Sequence, residues 1–84
     1  MDNIFSSKVL HYTVLFEPAE EGGYVVRVPA LPEVCTEGDT RAEAEAMARD
    51  AIVIAVESRK AHGEEIPQDV GRAVETAVLE IPFA

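Results

Sequence analysis

The sequence has 84 residues, a net charge of −9 and a single cysteine, Cys35. A chain of this length holds one hydrophobic core and not two, so we expect one domain over residues 1–84. The apolar share of 48% argues against intrinsic disorder. No run approaches the ~18 apolar residues of a membrane span. A lone cysteine excludes an intramolecular disulfide and a cysteine-rich zinc site.

The charge also bears on partners, because 16 acidic residues stand against 7 basic ones. The resulting field repels nucleic-acid phosphates and attracts cationic surfaces, so direct DNA or RNA binding is not expected. Solubility alone explains the same charge, and composition does not separate the two readings. No basic segment followed by an apolar run stands at the N-terminus, which predicts a cytoplasmic protein without a secretory signal.

A β-hairpin is predicted over residues 9–28. Apolar residues alternate over residues 9–17 and again over residues 24–28, the two-residue period of strands with one buried face. Between them, Gly22 and Gly23 supply the positive φ angles of a tight reversal, in a loop of five or six residues. The side chains expected to face the core are Leu10, Tyr12, Val14, Phe16, Tyr24, Val26 and Val28.

A short third strand at Val34–Glu37 and then a long helix follow. Thr40 and Glu43 have the spacing of a capping box, and Gly63 stands where a left-handed C-cap belongs. The helix is therefore predicted from about Thr40 to His62. Its buried stripe consists of Ala44, Met47, Ala48, Ala51, Ile52, Ala55 and Val56.

A last strand is predicted at Val74–Ile81, where apolar residues alternate again. The fold class is therefore α+β with the order β-β-β-α-β, an antiparallel hairpin plus further strands covered on one face by one long helix. The last strand has apolar residues on both faces. It either lies at a sheet edge that pairs with another copy, giving a homo-oligomer, or is covered on both faces within the monomer.

Several motifs, in this order, resemble the HicB-like antitoxin family. They are Glu20–Val26 (EEGGYVV), Pro29–Pro32 (PALP), Thr36–Ala44 (TEGDTRAEA) and Gly63–Pro67 (GEEIP). Each piece alone is common, so the resemblance depends on their order and spacing across residues 9–81.

This resemblance implies a partial RNase H-like fold that binds and inhibits a small basic toxin, HicA, which cleaves messenger RNA. The family commonly has Gly-Cys after the Leu-Pro. Here Glu33 and Val34 stand there with Cys35 one place later, so no role of that cysteine is carried over. Many members continue into a ribbon-helix-helix or helix-turn-helix module that binds operator DNA. The sequence ends at Ala84, and we expect a short, stand-alone form without that module. The alternative is a stand-alone protein-binding or oligomerisation module with no toxin partner.

The candidate partner-binding residues are Glu17, Glu20, Glu21 and Tyr24 around the hairpin turn and Val53 on the helix. Carboxylates at the turn would steer a cationic toxin, and an aromatic side chain would anchor the interface. The alternative is a solvated hairpin tip with Tyr24 packed in the core. On the helical wheel, Val53 should face outward, toward a partner or simply toward water.

On the same helix, Ile52 and Ile54, the neighbours of Val53, should face inward or lie at the border.

No catalytic residue, metal site or cofactor is predicted, so the chain is not expected to be an enzyme. A metal-dependent nuclease needs several carboxylates around two metal ions about 4 Å apart. Glu37 and Asp39 lie at a strand end, where turn and capping roles account for them. His11 has no marked nucleophile beside it, and Cys35 is expected to be a small buried apolar residue.

Overall fold

A computed structural model describes residues 9–69 and 77–83, and within them it contains three strands and one helix. The strands β1 (Leu15–Pro18), β2 (Tyr24–Arg27) and β3 (Cys35–Gly38) form one antiparallel sheet in the order β1-β2-β3. The helix α1 (Arg41–Ala61) follows. Three antiparallel strands and one long helix confirm the predicted α+β class, and the RNase H-like outline stays a prediction.

The hairpin loop comprises Ala19–Gly23, since Pro18 pairs with Tyr24. The N–H of Gly22 donates to the carbonyl of Ala19 at 3.0 Å, and the N–H of Ala19 donates to the carbonyl of Gly23 at 3.0 Å. The two glycines have φ angles of 100° and 78°, a region that L side chains rarely adopt. The prediction of a five- or six-residue loop with its reversal at these glycines is confirmed.

Strand β1 is shorter than predicted and begins at Leu15 rather than at residue 9. Leu15 pairs with Arg27, the last residue of β2, so none of the described strands lies opposite residues 9–14. Beyond Arg27 the chain turns away, because the N–H of Leu31 donates to the carbonyl of Val28 at 2.9 Å. A strand assignment requires a pairing partner, which alternation of apolar residues alone does not supply.

The helix has the predicted ends. The hydroxyl of Thr40 accepts from the N–H of Glu43 at 3.0 Å, and the Glu43 carboxylate accepts from the N–H of Asp39 at 3.0 Å, one residue before the cap. At the other end Gly63 has a φ angle of 69°, and its N–H donates to the carbonyl of Lys60 at 3.1 Å. Both caps satisfy backbone groups that a helix leaves unpaired, which explains why the bounds are predictable.

The core is small and consists of helix alanines packed on the sheet. Ala44 and Ala48 pack with Val26, and Ala55 packs with residues of the segment after β2. That segment contributes Val28, Leu31 and Val34, and Leu31 is fully buried. Tyr12, Val14, Phe16 and Tyr24 are partly buried around these clusters, as the strand period predicted.

Four burial predictions are wrong. Leu10 is 48% exposed, because it precedes β1 and no described strand pairs beside it. Met47 is 42% exposed and Ile54 is 67% exposed, because a sheet of three short strands covers only the narrow alanine row of α1. Cys35 is exposed as well. It pairs with Arg27, and this row of residues lies on the face of the sheet that points away from the helix.

After the helix, the chain returns to the segment that precedes β1. The Tyr12 hydroxyl donates to the carbonyl of Pro67 at 2.6 Å. Asp69 accepts from the N–H and the hydroxyl of Thr13, both at 2.8 Å. Part of the predicted last strand, Val74–Ile81, lies outside the described residues. Residues 77–81 are described, but they are exposed and form no strand, because no other strand of the described chain lies beside them.

Candidate partner-binding surfaces

One end of the domain collects acidic side chains. The strand register aligns Pro18, Tyr24 and Gly38 across the three strands, so the hairpin tip, the end of β3 and the start of α1 meet there. We call this the acidic end and define it by Glu20, Glu21, Glu37, Asp39 and Glu43, all of which are exposed. The two hairpin carboxylates were predicted from the sequence as partner contacts, and the strand register brings the other three carboxylates to the same end.

The predicted site residues at this end differ in their surroundings. Glu20 and Glu21 are exposed, and within residues 9–69 and 77–83 neither forms a salt bridge. The Glu17 carboxylate is 2.7 Å from Nε of Arg27 on the neighbouring strand, and both side chains are more than half exposed. A partner would therefore meet two carboxylates without an internal counter-charge and one that is already neutralised.

Tyr24 is half-buried at the edge of the core. It packs against the cluster of Val26, Ala44 and Ala48, so its ring supports the hairpin against the helix. This packing gives Tyr24 a structural role, and a direct partner contact through this residue stays a prediction.

A second surface is an open groove between β1 and α1, with a volume of about 790 Å³. Its strand side is lined by Phe16 of β1 and by Leu10, Tyr12 and Val14, which precede β1 in the chain. Its helix side is lined by the apolar Ala48, Ile52, Val53 and Val56, with the charged Glu45, Arg49 and Glu57 along its rim. We call this the β1–α1 groove. Val53 is 53% exposed, which confirms that it faces outward and places it within an apolar surface.

Charged side chains close one end of the β1–α1 groove. The Arg41 guanidinium carbon lies 3.6 Å from the centroid of the Phe16 ring, a cation–π contact. Arg41 and Arg49 both contact the Glu45 carboxylate, at 2.9 and 3.0 Å. Hydrogen bonds, first from Arg41 and then from Arg49, lower the pKa of Glu45. This arrangement was not predicted from the sequence, although the i,i+4 spacing of the three charged residues was a signal for their pairing.

The opposite flank of α1, toward β3, is tied by a bidentate ion pair. Nε and Nη2 of Arg59 donate to the two carboxylate oxygens of Glu33 at 2.7 and 2.8 Å. This hydrogen bonding holds the pKa of Glu33 at about 2 and raises that of Arg59. Cys35 and Ile54 lie in the shallow depression beside the pair.

The described residues offer no arrangement for metal chemistry. Within residues 9–69 and 77–83, no three His, Cys, Asp or Glu side chains lie close enough together to hold a metal ion. His11 is exposed, and the ring of His62 lies 2.6 Å from the carbonyl of Ser58 at the helix end. No helix in the described ranges is both long and apolar enough to cross a membrane.

The fold and these surfaces describe a small helix-on-sheet domain whose distinctive features are an acidic end and an apolar groove. Comparison with known proteins specifies the family. The family described as the HicB-like antitoxin of the bacterial toxin-antitoxin system matches residues 12–81. The chain belongs to this family, and the resemblance found in its motifs is confirmed.

Individual relatives agree with the family match. The chain is 49% identical over 63 residues to Antitoxin HicB 1 of Photorhabdus laumondii, covering 75% of this chain and 41% of the relative. It is 35% identical over 75 residues to Antitoxin HicB of Escherichia coli K12, and the match covers 89% of this chain and 54% of that antitoxin. The chain thus spans about half of these antitoxins or less. The UPF0150 protein Ta0767 of Thermoplasma acidophilum is 47% identical over 60 residues, and the match covers 71% of this chain and 87% of that protein.

Proposed function

We propose that the chain is an antitoxin that binds a small basic RNA-cleaving toxin of the HicA kind and neutralises it by occlusion. The observation that carries this proposal is membership of the HicB-like antitoxin family. In this role the chain acts stoichiometrically, performs no chemistry and needs no cofactor. The partial RNase H-like fold and the cytoplasmic location belong to the same proposal.

The acidic end supports occlusion by its charge. A toxin that cleaves RNA must bind phosphates, so its substrate-binding surface carries positive charge. Glu20 and Glu21 present exposed carboxylates on a turn at the tip of the hairpin. Such a surface attracts the toxin electrostatically and competes with RNA for the same cationic residues. Glu17 adds to this surface once its contact with Arg27 opens, whereas Tyr24 acts by positioning the tip.

A matched pair of charge reversals tests the acidic end. The variant Glu20→Lys/Glu21→Lys reverses the hairpin tip, and Glu64→Lys/Glu65→Lys reverses two exposed carboxylates just beyond the other end of the helix. The two variants have the same net charge. The helix between these sites is roughly 30 Å long, well beyond a Debye length of about 8 Å at physiological salt.

The measurement is the Kd for the basic toxin encoded beside this chain, at low and at physiological salt, together with inhibition of RNA cleavage. We expect the hairpin variant to raise Kd at least about tenfold at low salt and to flatten its salt dependence, because steering is lost. The Glu64/Glu65 variant should change Kd much less. Equal losses in the two variants would assign the effect to net charge, and a neighbouring toxin that does not bind would refute the antitoxin role.

A stand-alone oligomerisation module is the second candidate function. It is favoured by the Thermoplasma relative: the 60 matched residues make up 87% of that protein, so a protein little longer than the matched region exists. The neighbouring reading frame discriminates between the two functions: a small basic protein encoded there supports the antitoxin, and its absence supports the module.

A further inference from the structure

The segment at residues 77–83 is the most exposed apolar part of the described chain. Val78, Leu79, Ile81 and Phe83 are between 72% and 101% exposed. Single exposed apolar residues are ordinary on a monomer, but four large ones within seven residues form a patch of the kind that marks an interaction site. We call residues 77–83 the C-terminal segment.

The β1–α1 groove is an apolar surface of matching length. Its strand side runs from Leu10 to Phe16, seven residues, the same number as in the C-terminal segment. In extended conformation seven residues span roughly 23 Å. None of the residues that line the groove belongs to the C-terminal segment, so the described chain does not fill its own groove.

The backbone of β1 beside the groove is also available for pairing, whereas the N–H of Thr13, just before β1, already donates to Asp69. In the described sheet, β1 pairs with β2 on one side only, which leaves its other edge open. An open edge accepts an extended chain, whose main-chain hydrogen bonds supply affinity while alternate side chains fill the neighbouring pockets. Pro82 is compatible with this arrangement, because an edge strand tolerates a residue without an N–H.

The sequence of the C-terminal segment has the alternation that such pairing requires. In an extended chain, Leu79, Ile81 and Phe83 share one face, and Val78 and Glu80 share the other. The first face is wholly apolar and suits the groove. The second face carries Glu80, the one charge within residues 77–83, and would point to solvent.

We propose that the C-terminal segment of one copy lies in the β1–α1 groove of a second copy and extends its sheet at the β1 edge. Reciprocal exchange of the two segments closes a two-fold symmetric dimer. Each groove then holds Leu79, Ile81 and Phe83 of the other copy against its helix side.

The charge of the chain favours docking of the C-terminal segment over a dimer in which two folded domains meet face to face. Each chain has a net charge of −9, so two bodies that meet face to face repel each other. The C-terminal segment carries a single charge in seven residues and brings apolar surface to the groove with the least repulsion. The exchange does not involve the hairpin tip, so it holds whether or not the chain inhibits a toxin.

Light scattering on the full chain with matched variants provides the first test. We expect the wild type to have twice the chain mass of 9.1 kDa. Ile81→Glu places a carboxylate on the groove-facing side and should give a monomer, whereas Val78→Glu, on the other side, should remain a dimer. Val53→Lys on the groove wall should also give a monomer, and its exposed position preserves the fold, which circular dichroism checks. A monomeric wild type, or equal effects of the Ile81 and Val78 variants, would overturn the proposal.

Cross-linking between single-cysteine chains identifies which copy supplies the segment. In a Cys35→Ser background, one chain carries Val53→Cys and the other Ile81→Cys. We expect the mixed sample to form a disulfide between the two chains. If Val53→Cys/Ile81→Cys in one chain closes instead within a monomer, the segment docks on its own groove and the exchange is refuted. Cross-linking of Ile81→Cys with itself alone would mean tail-to-tail pairing, which equally contradicts the proposal.

Discussion

The two flanks of helix α1 are packed in different ways. Toward β3, the backbone of Gly38 lies directly against the first helical turn, and two hydrogen bonds join Arg59 to Glu33 near the other end. Toward β1, the helix and the strand diverge around the apolar β1–α1 groove, whose lining side chains other than Ala48 are partly buried or exposed.

With the proposed segment in the groove, this difference separates the residues that stabilise the fold from those that bind. The largest side chains with less than 2% exposure, Val26, Val28 and Leu31, belong to β2 and to the segment between β2 and β3. The groove side can therefore change or accept another chain at little cost to the fold. Elements with few buried contacts open at lower free energy than the core, which suits the proposed exchange of segments.

The largest expected effect is on the packed flank. Leu31→Ala should lower the free energy of unfolding by about 3 kcal/mol, because a fully buried side chain leaves a cavity that the short loop around it cannot refill. Val53→Ala, on the groove side, should change it by less than about 0.5 kcal/mol. Urea unfolding measures both. Similar losses for the two variants would remove the distinction between the flanks.

Gly38 offers the next largest effect. A Cβ at Gly38 would overlap the backbone of Ala44, and backbone cannot move aside as a flexible side chain can. Gly38→Ala should cost about 2 kcal/mol through this overpacking. Gly63→Ala is the control, since a Cβ there meets nothing within 4 Å and only the φ angle of 69° opposes it, at about 1 kcal/mol. If urea unfolding shows that Gly63→Ala is destabilised more than Gly38→Ala, the close approach of β3 and α1 is not what makes a side chain at Gly38 costly.

The N-cap of α1 contributes a smaller amount at the acidic end. Thr40→Ala removes the acceptor of the Glu43 N–H and should cost about 1 kcal/mol. Thr40→Ser keeps the oxygen and should restore most of the stability. Thermal unfolding followed by helical circular dichroism checks this, and a loss in Thr40→Ser as large as in Thr40→Ala would show that the hydroxyl bond is not the cause.

The parts of the fold that sequence predicts well are those set by local chemistry. Thr40 and Gly63 fix the helix ends because each cap satisfies backbone groups within a few residues. Gly22 and Gly23 fix the hairpin turn for a similar reason, since the reversal needs their positive φ angles. The hairpin carboxylates of the acidic end also follow from local sequence.

The parts that sequence misses depend on distant residues. Residues 77–81 form a strand only if another strand pairs with them, and the alternation of apolar residues does not indicate which strand that would be. The contact of Thr13 with Asp69 joins residues 56 apart, and the burial of Met47 and Ile54 depends on how wide the sheet is. The Arg41–Phe16 contact that closes the groove likewise appears only when the strand and the helix are placed together.

The smallest expected effect is a pH dependence on the packed flank. Hydrogen bonds from Arg59 lower the pKa of Glu33 from its ordinary value of 4.5 to about 2, so between these values the unfolded chain binds the proton more readily. The stabilisation is therefore complete above pH 4.5 and is lost as the pH falls toward 2. Partial exposure of both side chains screens the pair, so the change is modest. Glu33→Gln and Arg59→Gln should each flatten the dependence of unfolding free energy on pH in this window, and the double variant should add nothing further. Full additivity of the two substitutions would mean that the side chains do not act as a pair.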